Sequence, residues 1–420
     1  MTSSSSPVPA PDLGGYGKAR AYNGYRSYQY LVAGDDYRVF ELAAELDRVP
    51  SAAVSTSADQ EARVRSLLAG GPVISLHDHP SVMPTNIDEL FEYRRHGRDA
   101  TGYLGLSRSG LDAIFDNLAD GEGQITSLCG WKWDDTLVDL GMRLCDFAHQ
   151  DFITVIRRFE DFEAARARGQ LGVVLAIESA APIENELDRL DILYGFGIRS
   201  IGVTYSEANL LGSGLSEPTD GGLTTFGRRA VKRMNQLGIL IDCSHAGDRT
   251  TLDVVEASST PVSISHAGAR SIWPTARMKP DDVIRACAES GGVIGIEAAP
   301  HTTLSRSDRR HSVDSYMAHF EYCAELVGID HVAFGPDTLF GDHVGLHRVM
   351  SERFGAQLAE PPFPVDRVPW VEGLENPGET FPNIVRWLVV HGYSDNDIGQ
   401  VIGGNVLRLV ERAWSPSGGR

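Results

Sequence analysis

The chain has 420 residues, 42% hydrophobic and 23% charged, which excludes a largely disordered polypeptide. Its 38 Lys and Arg stand against 57 Asp and Glu, a formal net charge of −19. That balance argues against nucleic acid or an anionic membrane as partner, since both require clustered cations. The first residues, Met1 to Pro7, have neither the basic start nor the apolar core of a secretory signal. Residues 1–59 read as an N-terminal extension, partly disordered, rich in Ser, Pro, Gly and Tyr up to about residue 35. Its tyrosines are suited to lie on the body of the protein. Helices are predicted over 40–46 and 61–69, the latter stopped by Gly70-Gly71.

From residue 60 to 415 short apolar runs alternate with amphipathic stretches. The runs cover residues 72–76, 125–128, 173–177, 201–204, 239–242, 262–264, 293–296 and 332–334. They are short, and polar residues flank them, as in buried parallel strands. Helices are predicted over 184–194, 225–237, 249–257, 280–290 and 313–327. The alternation specifies an α/β fold, a (β/α)8 TIM-like barrel with cap insertions. A doubly wound sheet is the alternative, but no glycine-rich dinucleotide fingerprint follows the first run. Residues 81–124 are predicted to cap the barrel mouth, and the proline-rich residues 341–382 to form a long loop. Five cysteines, Cys129, Cys145, Cys243, Cys287 and Cys323, are dispersed with no CxxC pair, which reads as reduced thiols in a cytoplasmic protein.

Catalytic residues of such barrels gather just beyond the C-terminal ends of the strands. There the first run carries His77-Asp78-His79, the run at 173–177 carries Glu178, and the run at 239–242 carries His245. His266 follows the run at 262–264, and Asp337 follows the run at 332–334. One histidine at a strand end is more often a structural hydrogen-bonding residue than a ligand. Alternate residues such as His77 and His79 point the same way. Imidazoles and acids recurring at five strand ends specify a divalent-metal site, since barrel interiors otherwise favour Val, Ile and Leu. Asp242 is placed either to orient an imidazole or to make a structural cap or ion pair.

These segments resemble the membrane (renal) dipeptidase family of metallopeptidases, within the amidohydrolase superfamily. The resemblance runs from about residue 60 to 413. It is carried by Pro72-Val73-Ile74-Ser75-Leu76-His77-Asp78-His79, Leu175-Ala176-Ile177-Glu178 and Gly238-Ile239-Leu240-Ile241-Asp242-Cys243-Ser244-His245. Pro261-Val262-Ser263-Ile264-Ser265-His266 and Arg277-Met278-Lys279-Pro280 continue it. It implies two Zn2+ ions, with one ion or another divalent metal as alternatives. His77 and His79 would hold one ion, His245 and His266 the other, and Glu178 would bridge them. Asp337 would handle the proton and Arg277 would bind a substrate carboxylate. The implied partner is a small dipeptide-like molecule; homodimers are common among relatives, although no segment here marks an interface.

The chain departs from the family pattern at four places. His79 stands where the family has Asp. Glu178 is then the only assured anionic ligand, so Asp337 is expected to ligate the first metal directly, or that metal to bind weakly. Tyr205 stands where the family has a substrate-contacting His; its phenol either donates to an oxyanion or lines the pocket. Asp337 lacks a second acid two residues on, and Glu178 is followed by Ser179-Ala180 rather than glycine. Glu297 also ends a strand, either facing the pocket or paired elsewhere. His343 and His347 lie in the long loop, within potential reach of the site. The activity expected is metal-dependent hydrolysis of the amide bond of dipeptides or dipeptide-like small molecules. The alternative is a superfamily enzyme turned to a non-peptide small molecule in specialised metabolism.

Overall fold

Runs of Val, Ile and Leu that are buried on both faces form the eight parallel strands of the ring, and a ninth short strand, Ile153–Val155, pairs in parallel with one of them, Leu171–Ile177. The computed structural model describes residues 15–47, 54–117, 132–300, 302, 304–354, 368 and 370–415. The strands are β1 (Ile74–Asp78), β2 (Ala113–Asn117), β3 (Leu171–Ile177), β4 (Ile198–Gly202), β5 (Leu240–Asp242), β6 (Ser263–Ala267), β7 (Val293–Ile296) and β8 (Val332–Phe334). Each pairs in parallel with the next. Beyond the end of β8 the Asp337 N–H donates to the His77 carbonyl at 3.0 Å, and the His79 N–H donates to the Thr338 carbonyl at 2.9 Å. The buried Asp78 carboxylate accepts from the Thr338 N–H at 2.7 Å and its hydroxyl at 2.8 Å. These bonds draw β1 and the exit of β8 together and bring the ring close to closure. The chain has the predicted (β/α)8 TIM-like architecture.

The longer helices are α1 (Ala58–Gly70), α2 (Trp133–Phe147), α3 (Glu160–Ala167), α4 (Asp188–Phe196), α5 (Thr225–Leu237), α6 (Asp248–Ala257), α7 (Asp281–Glu289), α8 (Val313–Val327), α9 (His343–Phe354), α10 (Thr380–Val390) and α11 (Asn405–Ala413). Local chemistry sets their ends. Ser57 and Gln60 form a capping box at the start of α1. Thr224 caps α5, and Gly238 closes it at φ 74°.

Three expectations are corrected. Residues 40–46 are not helical: Leu42 bridges Pro84, the Ala43 N–H donates to the Met83 carbonyl, and the Glu41 carbonyl accepts from the Thr85 N–H. Pairing with the cap outweighs the helical pattern there. The second strand is β2, which lies within the segment read as cap; the run at 125–128 falls outside the described residues. The proline-rich stretch contains a helix, α9, which carries His343 and His347. The cap is otherwise present over residues 81–108, as a ribbon of Ser81–Val82 with Ala100–Thr101 and two short helices. Residues 1–14 lie outside the described residues. From residue 15 the N-terminal segment is anchored: Lys18 Nζ lies 2.5 Å from Asp112 Oδ2, and Tyr25 and Tyr28 are buried.

Candidate metal centre

The strand-end residues converge at one mouth of the barrel. His77 and His79 leave β1 on the same side, with Nε2 atoms 3.3 Å apart. Glu178 follows β3, and its Oε1 lies 3.4 Å from His77 Nε2, 3.2 Å from His245 Nε2 and 3.0 Å from His266 Nε2. Asp337 Oδ1 lies 3.0 Å from His79 Nε2 and 3.4 Å from His77 Nε2. Three overlapping sets, His77–His79–Glu178, Glu178–His245–His266 and His77–His266–Asp337, each gather their ligand atoms within 4.8 Å. All six residues are buried.

Glycines let the strand ends come this close. A Cβ on Gly202, the last residue of β4, would sit 1.9 Å from the Glu178 carbonyl oxygen. Asp337 adopts φ 58°, a left-handed conformation that Asp tolerates better than most residues. Its N–H bond to His77 holds it there.

The far nitrogens of three imidazoles are also engaged. Asn117, at the end of β2, lies 2.6 Å from His77 Nδ1. Ser206 Oγ lies 3.3 Å from His245 Nδ1. Ser265 Oγ donates to Asp242 Oδ2 at 2.8 Å and lies 2.8 Å from His266 Nδ1. The hydroxyl spends its one proton on Asp242, so it accepts from Nδ1–H and leaves the His266 Nε2 lone pair facing Glu178. Asp242 therefore orients an imidazole, through Ser265. The Asn117 and Ser206 contacts were not read from the sequence; a polar residue at a strand end was the only signal for Asn117.

Burial holds the imidazoles of His77, His245 and His266 below their ordinary pKa, the last two far below it. Neutral imidazole is the ligating form. Burial works against the Asp337 carboxylate, but hydrogen bonds with His77 and His79 outweigh it and keep the group anionic. The donor set of imidazole nitrogens and carboxylate oxygens, preoriented and sheltered from water, suits a borderline divalent metal.

The other predicted residues line the same region. The half-buried Tyr205 ring stacks on His245, with centroids 4.3 Å apart. Arg277 is buried and donates from one terminal nitrogen to the Ser244 carbonyl at 3.4 Å. Its other terminal nitrogen is ion-paired with Glu297. Glu297 is thus paired, and burial pushes its carboxyl up to about 7. His343 is buried on α9 and its charge helps lower Asp337; its ring centroid is 4.5 Å from that of His347.

The family model of the membrane dipeptidases, peptidase family M19, matches residues 62–350. The chain belongs to that family. A dipeptidase of Claviceps purpurea (strain 20.1), tcpJ, is 25% identical over 275 residues, covering 65% of this chain and 58% of that protein. This membrane dipeptidase relative thus spans little more than half of the fungal protein. A protein described as the uncharacterized protein in the pqqA 5' region of Klebsiella pneumoniae is 32% identical over 209 residues, covering 46% of this chain and 76% of that protein. The crystal structure of an amidohydrolase from Pseudomonas aeruginosa superposes with a TM-score of 0.68 at 24% identity, covering 84% of this chain and 99% of the other. The match to the M19 model spans β1 to α9 and so includes every candidate ligand.

Proposed function

We propose that this chain is a zinc-dependent hydrolase that cleaves the amide bond of dipeptides or dipeptide-like small molecules. One observation carries the reading: four imidazoles and two carboxylates converge within the three overlapping ligand sets. His77 and His79 with Asp337 would hold one ion, His245 and His266 the second, and Glu178 would lie between them. A divalent ion bound there polarises a carbonyl and lowers the pKa of water. The closeness of Asp337 to His77 and His79 supports its direct ligation, which supplies the negative charge that His79 does not. The Asp337 carboxylate accepts the proton of the attacking water and returns it to the departing amine. The phenol of Tyr205, beside His245, donates to the developing oxyanion. Ser265, Asn117 and Ser206 hold the imidazoles in place.

A non-peptide substrate is the second reading, favoured by Tyr205 and by the Glu297 partner of Arg277. No described helix is long and apolar enough to cross a membrane. A cytoplasmic location is part of the proposal, supported by the free thiols of Cys145, Cys243, Cys287 and Cys323. A homodimer is implied by the resemblance alone and is checked by sedimentation. The deciding experiment is amino-acid release by zinc-loaded protein from a panel of L,L and L,D dipeptides and their amides. Release that is lost in Asp337→Asn is expected. No release from metal-replete protein would refute the proposal and direct the search to other small molecules.

A further inference from the structure

Glu297 follows directly on β7, at the same mouth of the barrel as the candidate ligands. Its N–H donates to the Ala267 carbonyl at 2.9 Å, which fixes it beside the exit of β6. Its side chain is wholly buried. A carboxylate taken out of water is costly unless a cation meets it. Here the cation is Arg277, in direct contact with Glu297. Arg277 also reaches the carbonyl of Ser244, the residue before His245. Lys279 is buried nearby, but its Nζ donates to the Ala246 carbonyl at 2.6 Å, on the other side of His245.

The pairing alters what Arg277 can recognise. A lone buried guanidinium attracts a carboxylate through both charge and a planar fork of donors. Once Glu297 is ionised, at pH above about 7, the guanidinium paired with it keeps its remaining N–H donors but offers no net charge. A substrate carboxylate placed there would share a dry space with a second carboxylate, and two such groups disfavour joint ionisation. A carboxamide or ester carbonyl accepts the same N–H donors without that repulsion.

We propose that Glu297 is a specificity-determining residue: by neutralising Arg277 it selects dipeptide-like amides whose C-terminal carboxyl is blocked as an amide or ester. The inference rests on the amide-hydrolase reading and narrows its substrate class. The test is calorimetric binding to zinc-loaded protein of one phosphinate dipeptide mimic in two forms, with a free C-terminal carboxylate and with a carboxamide. Wild-type protein binds the carboxamide tighter by about tenfold or more, the scale of one unfavourable charge contact. Glu297→Gln shifts the preference toward the carboxylate by a similar factor. The wild-type ratio stands alone if the variant fails to fold. A wild type that prefers the carboxylate, or a ratio unchanged in the variant, overturns the role of Glu297 and leaves the hydrolase reading intact. Metal-replete protein that binds neither form overturns both.

Discussion

Ser265 shows how much of the candidate site rests on a residue outside the ligand sets themselves. Its hydroxyl links Asp242 to His266, so the direction of one hydrogen bond decides which imidazole nitrogen faces Glu178. Ser265→Ala removes that link while the strand stays paired. We expect zinc affinity to fall about 10- to 100-fold, the usual effect of losing such a partner, with the thermal midpoint little changed. Competition with a chelator measures it, and unchanged affinity would remove Ser265 from the metal site. His319 is a histidine of the opposite kind. Its Nε2 donates to the Leu304 carbonyl at 2.7 Å, and its Nδ1 accepts from the Ala269 N–H at 3.0 Å. Both nitrogens are committed to the neutral form, and burial lowers the pKa from 6.5 to about 4. The unfolded chain therefore binds the proton first. Stability from this group is complete above pH 6.5 and is lost as the pH falls toward 4, by about 3 kcal/mol. Urea melts between pH 7 and 4 should show a shallower loss in His319→Gln; identical slopes would exclude His319 as the source.

At the scale of elements, the barrel places its ligands by letting strand ends touch. Gly202 closes β4 against the Glu178 carbonyl, where a Cβ would lie 1.9 Å from backbone oxygen. Backbone on both sides leaves nothing flexible to yield. Gly202→Ala is expected to cost about 3 kcal/mol or more and to displace Glu178, with loss of zinc binding before loss of the fold. Circular dichroism melts and zinc titration separate the two effects, and a neutral substitution would show that the strand ends are looser than this packing implies. The same geometry explains what the sequence revealed. The convergence of His77, His79, Glu178, His245, His266 and Asp337 was legible because each lies within three residues after an apolar run, and strand ends face the barrel mouth. Strand β2 was not legible, because its apolar core is only Ala113-Ile114-Phe115 with acids on either side. Those acids are buried by distant cations: Lys18 meets Asp112, and Arg143 approaches Asp116 at 4.0 Å. A pattern within a few residues cannot show partners so far away. Ser265 and Asn117 were missed for a related reason, since their roles depend on rotamer and distance rather than on residue type. Residues 40–46 read as a helix because their alternation fits both periods, and the bonding partners at Met83 and Thr85 lie outside any local window.

Across the whole molecule, the N-terminal segment, helix α2 and residues 81–103 form one connected hydrogen-bonded structure. Asp146, near the end of α2, is buried and accepts from Tyr25 Oη at 2.7 Å, the Tyr28 N–H at 2.8 Å, Ser27 Oγ at 2.9 Å and Tyr103 Oη at 2.9 Å. One turn earlier, Arg143 donates to Thr101 Oγ1 at 2.5 Å, Ser81 Oγ at 2.7 Å and Asp99 at 3.1 Å. Ser81 lies two residues beyond His79. The carboxylate of Asp146 and the guanidinium of Arg143 therefore connect a segment outside the barrel to the strand that carries two candidate ligands. Asp146→Ala strands several buried donors at once, at a cost of about 3 kcal/mol. Local opening should follow, because these hydrogen bonds, together with the packing of Tyr22, Tyr25 and Tyr28, are what fix residues 22–31. Hydrogen exchange is expected to quicken over residues 22–31 and also over the Ser81–Val82 ribbon, while the strands β5 to β7 keep their protection. Faster exchange confined to residues 22–31 would show that the N-terminal segment is merely attached to α2, and that the order of the cap does not depend on it.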